Sequence, residues 1–92
     1  MAAYKVNIDP QALRDLKQLE RPARKAVKEM IDALADDPRP PGVKPLKGHR
    51  PYLRVRSGDY RAVYLVDDTA REVRVAIAGH RCDVYEIVRR RL

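Results

Sequence analysis

Hydrophobic and polar residues alternate over residues 3–8, which predicts a short β-strand because successive side chains of a strand point to opposite faces. Two segments with apolar residues at helical spacing follow, over residues 10–20 and 22–37. Asp9 and Pro10 are typical of a helix start, since the carboxylate can cap free N–H groups and proline is tolerated at the first helical position. The prolines after residue 37 cannot continue a helix. The pattern therefore predicts a strand followed by a helix hairpin.

Three more alternating or apolar segments lie in the second half of the chain, over residues 52–56, 60–66 and 72–78. The segments between them, residues 57–59 and 67–70, are short enough to be tight turns, so consecutive strands are expected to be antiparallel neighbours. Residues 60–66 are apolar on both faces, as in a central strand.

A proline-rich, basic loop is expected over residues 38–51, and a short terminal helix over residues 83–90. The predicted order is β-α-α-β-β-β with a helical tail, an α+β fold. The helix hairpin must bury its apolar stripe on one face of a four-stranded, mostly antiparallel sheet. The other face is then left to Arg54, Arg56, tyrosines and the C-terminal segment.

Positive charge is concentrated in the second half of the chain. The 92 residues carry a net charge of +7, of which residues 44–92 contribute +6. Such an asymmetry favours a polyanionic partner, which can be nucleic acid, an acidic protein segment or both, although a simply solvated charged surface has the same composition. Cys82 is the single cysteine, so no disulfide can form within the chain.

The N-terminus lacks the apolar segment of a secretory signal, and no apolar run is long enough to cross a bilayer. We expect a soluble, cytoplasmic protein that does not associate with membranes.

Two stretches of the sequence are similar to a known family. They are PLKGHRPYLRVRSGDYRAVYLVDD, from Pro45 to Asp68, and AGHRCDVYEIV, from Ala78 to Val88. Together with the helix hairpin and the element order, they resemble the RelE/ParE toxin superfamily of type II toxin–antitoxin modules. The resemblance covers nearly the whole chain and implies that residues 1–92 form a single RelE-like toxin domain.

The RelE branch implies an endoribonuclease that cleaves mRNA in the A site of the ribosome, with neither metal nor cofactor. It also implies an acidic, RelB-like antitoxin as partner, which would supply any contact with DNA. The full set of active positions of that branch has matches here. They are basic residues on the second strand, a basic residue at the start of the third, one after the fourth and a C-terminal tyrosine, which correspond to Arg54, Arg56, Arg61, Arg81 and Tyr85.

RNA cleavage without a metal uses the 2′-OH as nucleophile, and negative charge gathers on the phosphate oxygens in the transition state. Fixed arginines can stabilise this charge because their planar guanidinium donates two hydrogen bonds to phosphate. We assign this role to Arg61 and Arg81, with Arg56 contributing, and expect Tyr85 to stack on a base or to bond near the 2′-OH. The alternatives are an ion pair of Arg61 with Asp59 or Asp83, and core packing of Tyr85.

Proton transfer needs a different side chain. Arg54 stands where the family has a lysine, and arginine is hardly ever deprotonated. His80, next to Arg81, is the candidate proton carrier, whereas His49 is expected to touch RNA backbone. The remaining predicted RNA-binding residues would contact phosphates without reading sequence, and they are Lys44, Lys47, Arg50, Arg89, Arg90 and Arg91.

Two other functions stay open at this point. A ParE-type toxin would inhibit DNA gyrase instead of cutting RNA, and a degenerate toxin would only bind its antitoxin. The sequence also leaves the register of Arg54 and Arg56 against Arg61 undetermined. A bulge near Gly58, or a position of Arg61 at the strand end, would let the three side chains converge.

Overall fold

The computed structural model describes residues 3–92. It confirms the α+β class, with three helices and one mixed sheet. In chain order the elements are β1 Lys5–Ile8, α1 Pro10–Lys17, α2 Arg21–Ala33, β2 Lys44–Pro45, β3 Leu53–Ser57, β4 Tyr60–Asp67, β5 Glu72–His80 and α3 Arg81–Arg91.

The sheet has the strand order β1-β5-β4-β3-β2. Strands β3, β4 and β5 form the predicted antiparallel meander, and β1 is parallel to β5, with Lys5 opposite Glu72. The fifth strand, β2, was not predicted. It is a two-residue edge strand in which Lys44 is opposite Arg54, a position where Pro45 is tolerated because an edge strand need not donate every N–H.

Helix α1 is shorter than predicted and ends at Lys17, whereas α2 ends at Ala33, before the prolines as predicted. Asp9 occupies the N-cap position of α1, but its side chain makes no capping hydrogen bond, so that part of the prediction was wrong. The carboxylate instead accepts a hydrogen bond of 2.7 Å from Arg74 Nε on β5. The Arg74 guanidinium and the first N–H groups of the helix compete for the same carboxylate, and the contact formed is the one in which both partners are charged.

The main core lies between the hairpin and the first face of the sheet. It contains completely buried apolar side chains from α1, α2, β4 and β5, with Val55 of β3 at 8% exposure. Tyr64 is also buried there, and its hydroxyl donates a 2.7 Å hydrogen bond to the Pro38 carbonyl. The predicted packing of the hairpin on one sheet face is therefore confirmed.

Helix α3 packs on the second face of the sheet and begins at Arg81, two residues earlier than predicted. A smaller core forms beneath it from Leu46, Val63, Ile77, Val84, Ile87 and Val88. A register shift between Val63 and Tyr64 accompanies this change of packing along β4 and β5. Helix α3 covers only part of this face, and β3 and β4 continue beyond it.

Within residues 3–92, no helix combines the length and the apolar character needed to cross a membrane.

Candidate functional site

The part of the second sheet face beyond α3 carries three arginines on adjacent strands. Arg56 is directly opposite Arg61, and Arg54 is opposite Val63. Directly opposite residues of antiparallel strands share a face, so all three guanidinium groups extend from the same side of the sheet. The predicted convergence needs no bulge at Gly58, because Ser57 pairs with Tyr60 and leaves a two-residue turn.

Arg61 is partly buried at the centre of this arrangement. Its Nη1 donates a 3.3 Å hydrogen bond to the Gly58 carbonyl, whereas its Nε is buried and has no hydrogen-bond partner. The expected alternatives, ion pairs with Asp59 or Asp83, are not among the ion pairs found within residues 3–92. A small cavity of about 40 Å³ brings Arg61 together with Lys44, Arg54 and Arg56. We call these four residues the cationic cluster.

The four members of the cationic cluster line one small cavity and lack carboxylate partners. Six ion pairs occur within residues 3–92, and none of them contains a member of the cluster. Like charges held close together repel, and a buried donor without a partner costs about 1–3 kcal/mol. Both effects would be relieved by a bound anion that accepts several hydrogen bonds.

An open groove of about 520 Å³ adjoins the cluster between α3 and the loop before β3. Tyr85 lies in this groove, 45% exposed, and its hydroxyl accepts a short hydrogen bond from Arg54 Nη1. This contact joins α3 to β3 and places an aromatic face beside the guanidinium. The groove combines an apolar floor with a cationic rim, and its lining residues are Pro45, Leu46, Lys47, His49, Arg54, Tyr85, Val88 and Arg89.

Arg81 lies at the β3–β4 turn. Its backbone N–H donates a 2.7 Å hydrogen bond to the Asp59 carbonyl, and its exposed guanidinium is 3.9 Å from the Asp59 carboxylate. This distance is at the limit of an ion pair, and both side chains are largely in water, so the pairing is weak. Arg81 is thus anchored by its backbone while its side chain stays available.

The structure does not place His80 on the face of the sheet that carries the cationic cluster. His80 is paired with Tyr60 on β4, and the two rings form an edge-to-face contact with centroids 5.5 Å apart. Tyr60 packs against the core under the helix hairpin, which is the opposite face of the sheet. In addition, His80 Nδ1 accepts the Cys82 N–H at 3.2 Å and so caps α3. His80 lines a second groove, separate from the one that contains Tyr85. The carboxylates of Asp15, Asp83 and Glu86 also line this second groove, together with Arg90.

His49, by contrast, lies in the groove beside Arg54 and Tyr85. A tight turn fixes its backbone, with His49 N–H bonded to the Leu46 carbonyl at 3.0 Å and its carbonyl accepting from Tyr52 N–H at 2.9 Å. This turn depends on long-range packing of the proline-rich loop, and the sequence contains no periodic signal for it.

The predicted RNA-binding residues are divided among several surfaces. Lys44 belongs to the cationic cluster, and Lys47 and Arg89 line the groove. Arg89 also pairs with Glu86 at 2.6 Å. Arg91 is turned away from the groove, since it pairs with Asp15 of α1 at 3.1 Å, and Arg50 is exposed in the loop.

A second group of polar side chains ties the far end of β4 to β1, and sequence reasoning missed it. Asp68 accepts hydrogen bonds from Arg39 at 2.9 and 3.1 Å and from the Tyr4 hydroxyl at 2.6 Å. The hydrogen bonds from Arg39 and then from Tyr4 lower the pKa of Asp68 to about 2. Nearby, burial raises the pKa of Tyr64 to about 12. These residues lie in separate loops and strands, so no local spacing identifies them as partners.

Within the part of the chain that the structure describes, no group of three or more His, Cys, Asp or Glu side chains is placed to hold a metal ion.

Comparison with known proteins gives consistent matches. The sequence model of the family "ParE toxin of type II toxin-antitoxin system, parDE" matches residues 6–85. The candidate toxin RelE1 of Methanocaldococcus jannaschii is 38% identical over 66 residues, which are 68% of this chain and 73% of that protein.

Solved structures of RelE toxins have the same fold. The RelE–RelB complex of Pyrococcus horikoshii has a TM-score of 0.74 at 27% identity, covering 86% of this chain and 96% of that one. The isolated Escherichia coli RelE toxin has a TM-score of 0.73 at 30% identity and covers 98% and 100% of the two chains. The RelBE2 toxin–antitoxin complex of Mycobacterium tuberculosis has a TM-score of 0.73 at 31% identity and covers 86% and 99%.

Proposed function

The chain belongs to the ParE toxin family of type II toxin–antitoxin systems, and from this premise we propose that it is a RelE-type endoribonuclease that cleaves mRNA in the ribosomal A site. We also propose that residues 1–92 act as a single toxin domain, with the site residues on the second face of the sheet. The proposal goes beyond the family, which includes toxins with other targets.

The observation that carries this proposal is the cationic cluster. Arg54, Arg56 and Arg61 share one face of adjacent strands, and no ion pair within residues 3–92 neutralises them. Elsewhere the protein pairs comparable arginines with carboxylates, for example Arg39 with Asp68. An unneutralised cluster around an unpartnered Arg61 Nε suits a phosphate group, which offers several acceptor oxygens and negative charge.

The chemistry follows from this placement. The 2′-oxygen of the RNA attacks the adjacent phosphorus and the bond from phosphorus to the 5′-oxygen breaks, which leaves a 2′,3′-cyclic phosphate and a 5′-hydroxyl. Arg61 and Arg56 would hold the non-bridging oxygens as negative charge increases on them, and Arg81 would approach from the β3–β4 turn. Preorganised donors of this kind contribute about 3–4 kcal/mol each to transition-state stabilisation.

Tyr85 and the groove would hold the nucleotide next to that phosphate. A 45% exposed tyrosine can stack on an unpaired base, and its hydrogen bond to Arg54 fixes the ring beside the phosphate position. Lys44, Lys47, Arg50 and Arg89 would add contacts to RNA backbone, which are independent of sequence and weaken with salt.

We further propose that an acidic, RelB-like antitoxin neutralises this toxin. The related P. horikoshii and M. tuberculosis structures are complexes of a toxin with its antitoxin. The basic second half of this chain and the unpaired cationic cluster favour an acidic segment as the inhibitory contact. Contact with DNA would then come through the antitoxin.

The test is cleavage of a defined mRNA on programmed ribosomes, mapped by primer extension, for the wild-type protein, Arg61→Ala and Arg81→Ala. We expect cuts at A-site codons that require ribosomes, and a rate about 100- to 1000-fold lower in Arg61→Ala. The folded state of each variant is checked by circular dichroism. Full cleavage by both folded variants would contradict the proposal.

The family match itself keeps one other function in view, because ParE-type toxins inhibit DNA gyrase. If the wild-type protein cuts no RNA, inhibition of gyrase supercoiling by the same preparation would establish that function instead. Binding to the antitoxin without either activity would identify a degenerate toxin.

A further inference from the structure

We propose that His49 is the general base of the cleavage reaction, a role that sequence reasoning gave to His80. This inference rests on the proposed endoribonuclease function and assigns the one step for which the arginines are unsuited. Arginine stays protonated at every physiological pH, so the cationic cluster can stabilise charge but cannot remove the proton of the 2′-OH.

The two histidines differ in what surrounds them. His80 Nδ1 is engaged in capping α3, its ring packs on Tyr60, and it lines a groove with acidic residues. His49 lines the groove that also contains Arg54 and Tyr85, and no hydrogen bond to its imidazole occurs within residues 3–92. Both ring nitrogens of His49 are therefore available to a ligand in that groove.

The position of His49 is defined by the fold. Its backbone is held at both the N–H and the carbonyl by the turn between Leu46 and Tyr52, and Leu46 is buried in the core under α3. The side chain is partly exposed, which permits access to substrate. A general base must come within hydrogen-bond reach of the proton that it removes, and the position of His49 beside Arg54 and Tyr85 allows this for a nucleotide in the groove.

The charged and titratable groups facing the groove come from each element around it. Lys47 lies on the same loop, Arg54 on β3, and Tyr85 and Arg89 on α3. Arg89 is already paired with Glu86. Among these side chains imidazole is the type whose ordinary pKa is closest to neutral, so it can both accept and release a proton under physiological conditions.

In the proposed step, neutral His49 accepts the 2′-OH proton as the bond from the 2′-oxygen to phosphorus forms. The bond from phosphorus to the 5′-oxygen then breaks, and the leaving oxygen takes a proton from water in the open groove. The imidazolium of His49 returns its proton to solvent before the next turnover, so the protein is unchanged.

The experiment measures single-turnover cleavage on programmed ribosomes at saturating toxin from pH 5.5 to 8.5. We compare the wild-type protein with His49→Gln, His80→Asn and Lys28→Gln. Asparagine can still cap α3, and Lys28 lies on α2, paired with Asp32 and remote from the groove. We expect the wild-type rate to rise with pH through the imidazole range and then to level off.

His49→Gln is expected to lower the plateau rate about 100-fold or more and to abolish the rise with pH, while ribosome binding is retained. Cleavage by His49→Gln within threefold of wild type at all pH values would overturn the proposal, as would a loss confined to His80→Asn. Wild-type cleavage that is independent of His49 removes only this inference, whereas absence of wild-type cleavage also removes the proposed function.

A measurement without ribosomes adds a second criterion. Adenosine 3′-monophosphate, titrated into the protein, should shift the NMR signals of the His49 ring and leave those of the His80 ring in place. Shifts of His80 alone would overturn the assignment.

Discussion

The two faces of the sheet differ in how far their apolar cores extend and in which residues lie beside them. Under α1 and α2, buried side chains extend across β3, β4 and β5, and the partly buried side chains of β1 pack against them. Under α3, the smaller core ends near Val63, and the neighbouring positions of β3 and β4 carry Arg54, Arg56 and Arg61. One sheet therefore serves two purposes, because burial on the first face stabilises the fold and leaves the second free for charge.

The comparison also separates two kinds of arginine. Arg39, Arg74 and Arg91 each bond a carboxylate on another element and hold parts of the structure together. The arginines of the cationic cluster have no such partner. Three guanidinium groups on one face of adjacent strands, with the Arg61 Nε buried and unpartnered, favour the binding of an external anion.

The largest effect we expect is on the first face. Ile31 is completely buried there, whereas Ile87, on the second face, is 8% exposed. Ile31→Ala should lower the free energy of unfolding by about 4 kcal/mol, since buried Ile→Ala substitutions cost about 2–5 kcal/mol. Ile87→Ala should cost about 2 kcal/mol, at the low end, because the edge of the smaller core can relax or admit water. Urea unfolding followed by circular dichroism gives both values, and equal losses would contradict the difference between the faces.

The next effect separates activity from stability. Arg56→Gln should lower the rate of mRNA cleavage about 100-fold, equivalent to about 2.7 kcal/mol, and change the free energy of unfolding by less than about 0.5 kcal/mol. Arg74→Gln is the matched control, because Arg74 is an exposed arginine that donates to Asp9 at 2.7 Å. We expect it to lose up to about 1 kcal/mol of stability and to cleave normally. Normal cleavage by Arg56→Gln together with lost cleavage by Arg74→Gln would mean that pairing with a carboxylate does not separate structural arginines from those of the site.

The smallest effect concerns the paired arginine at the far end of β4. Hydrogen bonds from Arg39 and Tyr4 lower the pKa of Asp68 to about 2. A depressed folded-state pKa contributes stability above the unfolded value, near 4, and this contribution is lost as the pH falls from about 4 to about 2. Melting temperatures measured from pH 5 to pH 2 should therefore fall more steeply for the wild-type protein than for Asp68→Asn. Parallel curves would show that the contacts of Asp68 with Arg39 and Tyr4 add no acid-sensitive stability.

The elements that the sequence predicted are those with a clear period. Strand β3 alternates apolar and basic residues, and the apolar stripe of α2 recurs at helical spacing, so both were identified. Strand β2 was missed because it consists of Lys44 and Pro45 pairing with β3, which is a tertiary event without local pattern. The predicted capping hydrogen bond of the Asp9 side chain is absent for a similar reason, since Arg74 on a distant strand binds its carboxylate.

The common face of the arginines was predicted in part. Their residue types pointed to phosphate, but their register depended on the two-residue turn between Ser57 and Tyr60, which a sequence pattern allows without requiring. The two histidines could not be placed by sequence. His80 is next to Arg81 in the chain yet faces the opposite side of the sheet, whereas His49 reaches the groove through a turn in an irregular loop.

The parallel pairing of β1 with β5 has a consequence for the order in which the chain folds during its synthesis. Lys5 is opposite Glu72 in the sheet. Strand β1 is therefore synthesised first but has no neighbour in the sheet until β5 has also been synthesised. Contacts between such distant residues form late, because a long loop must close first. Arg81 comes later still. The pairing of β1 is thus completed last, whereas the β3–β4 hairpin that carries Arg54, Arg56 and Arg61 can form before it.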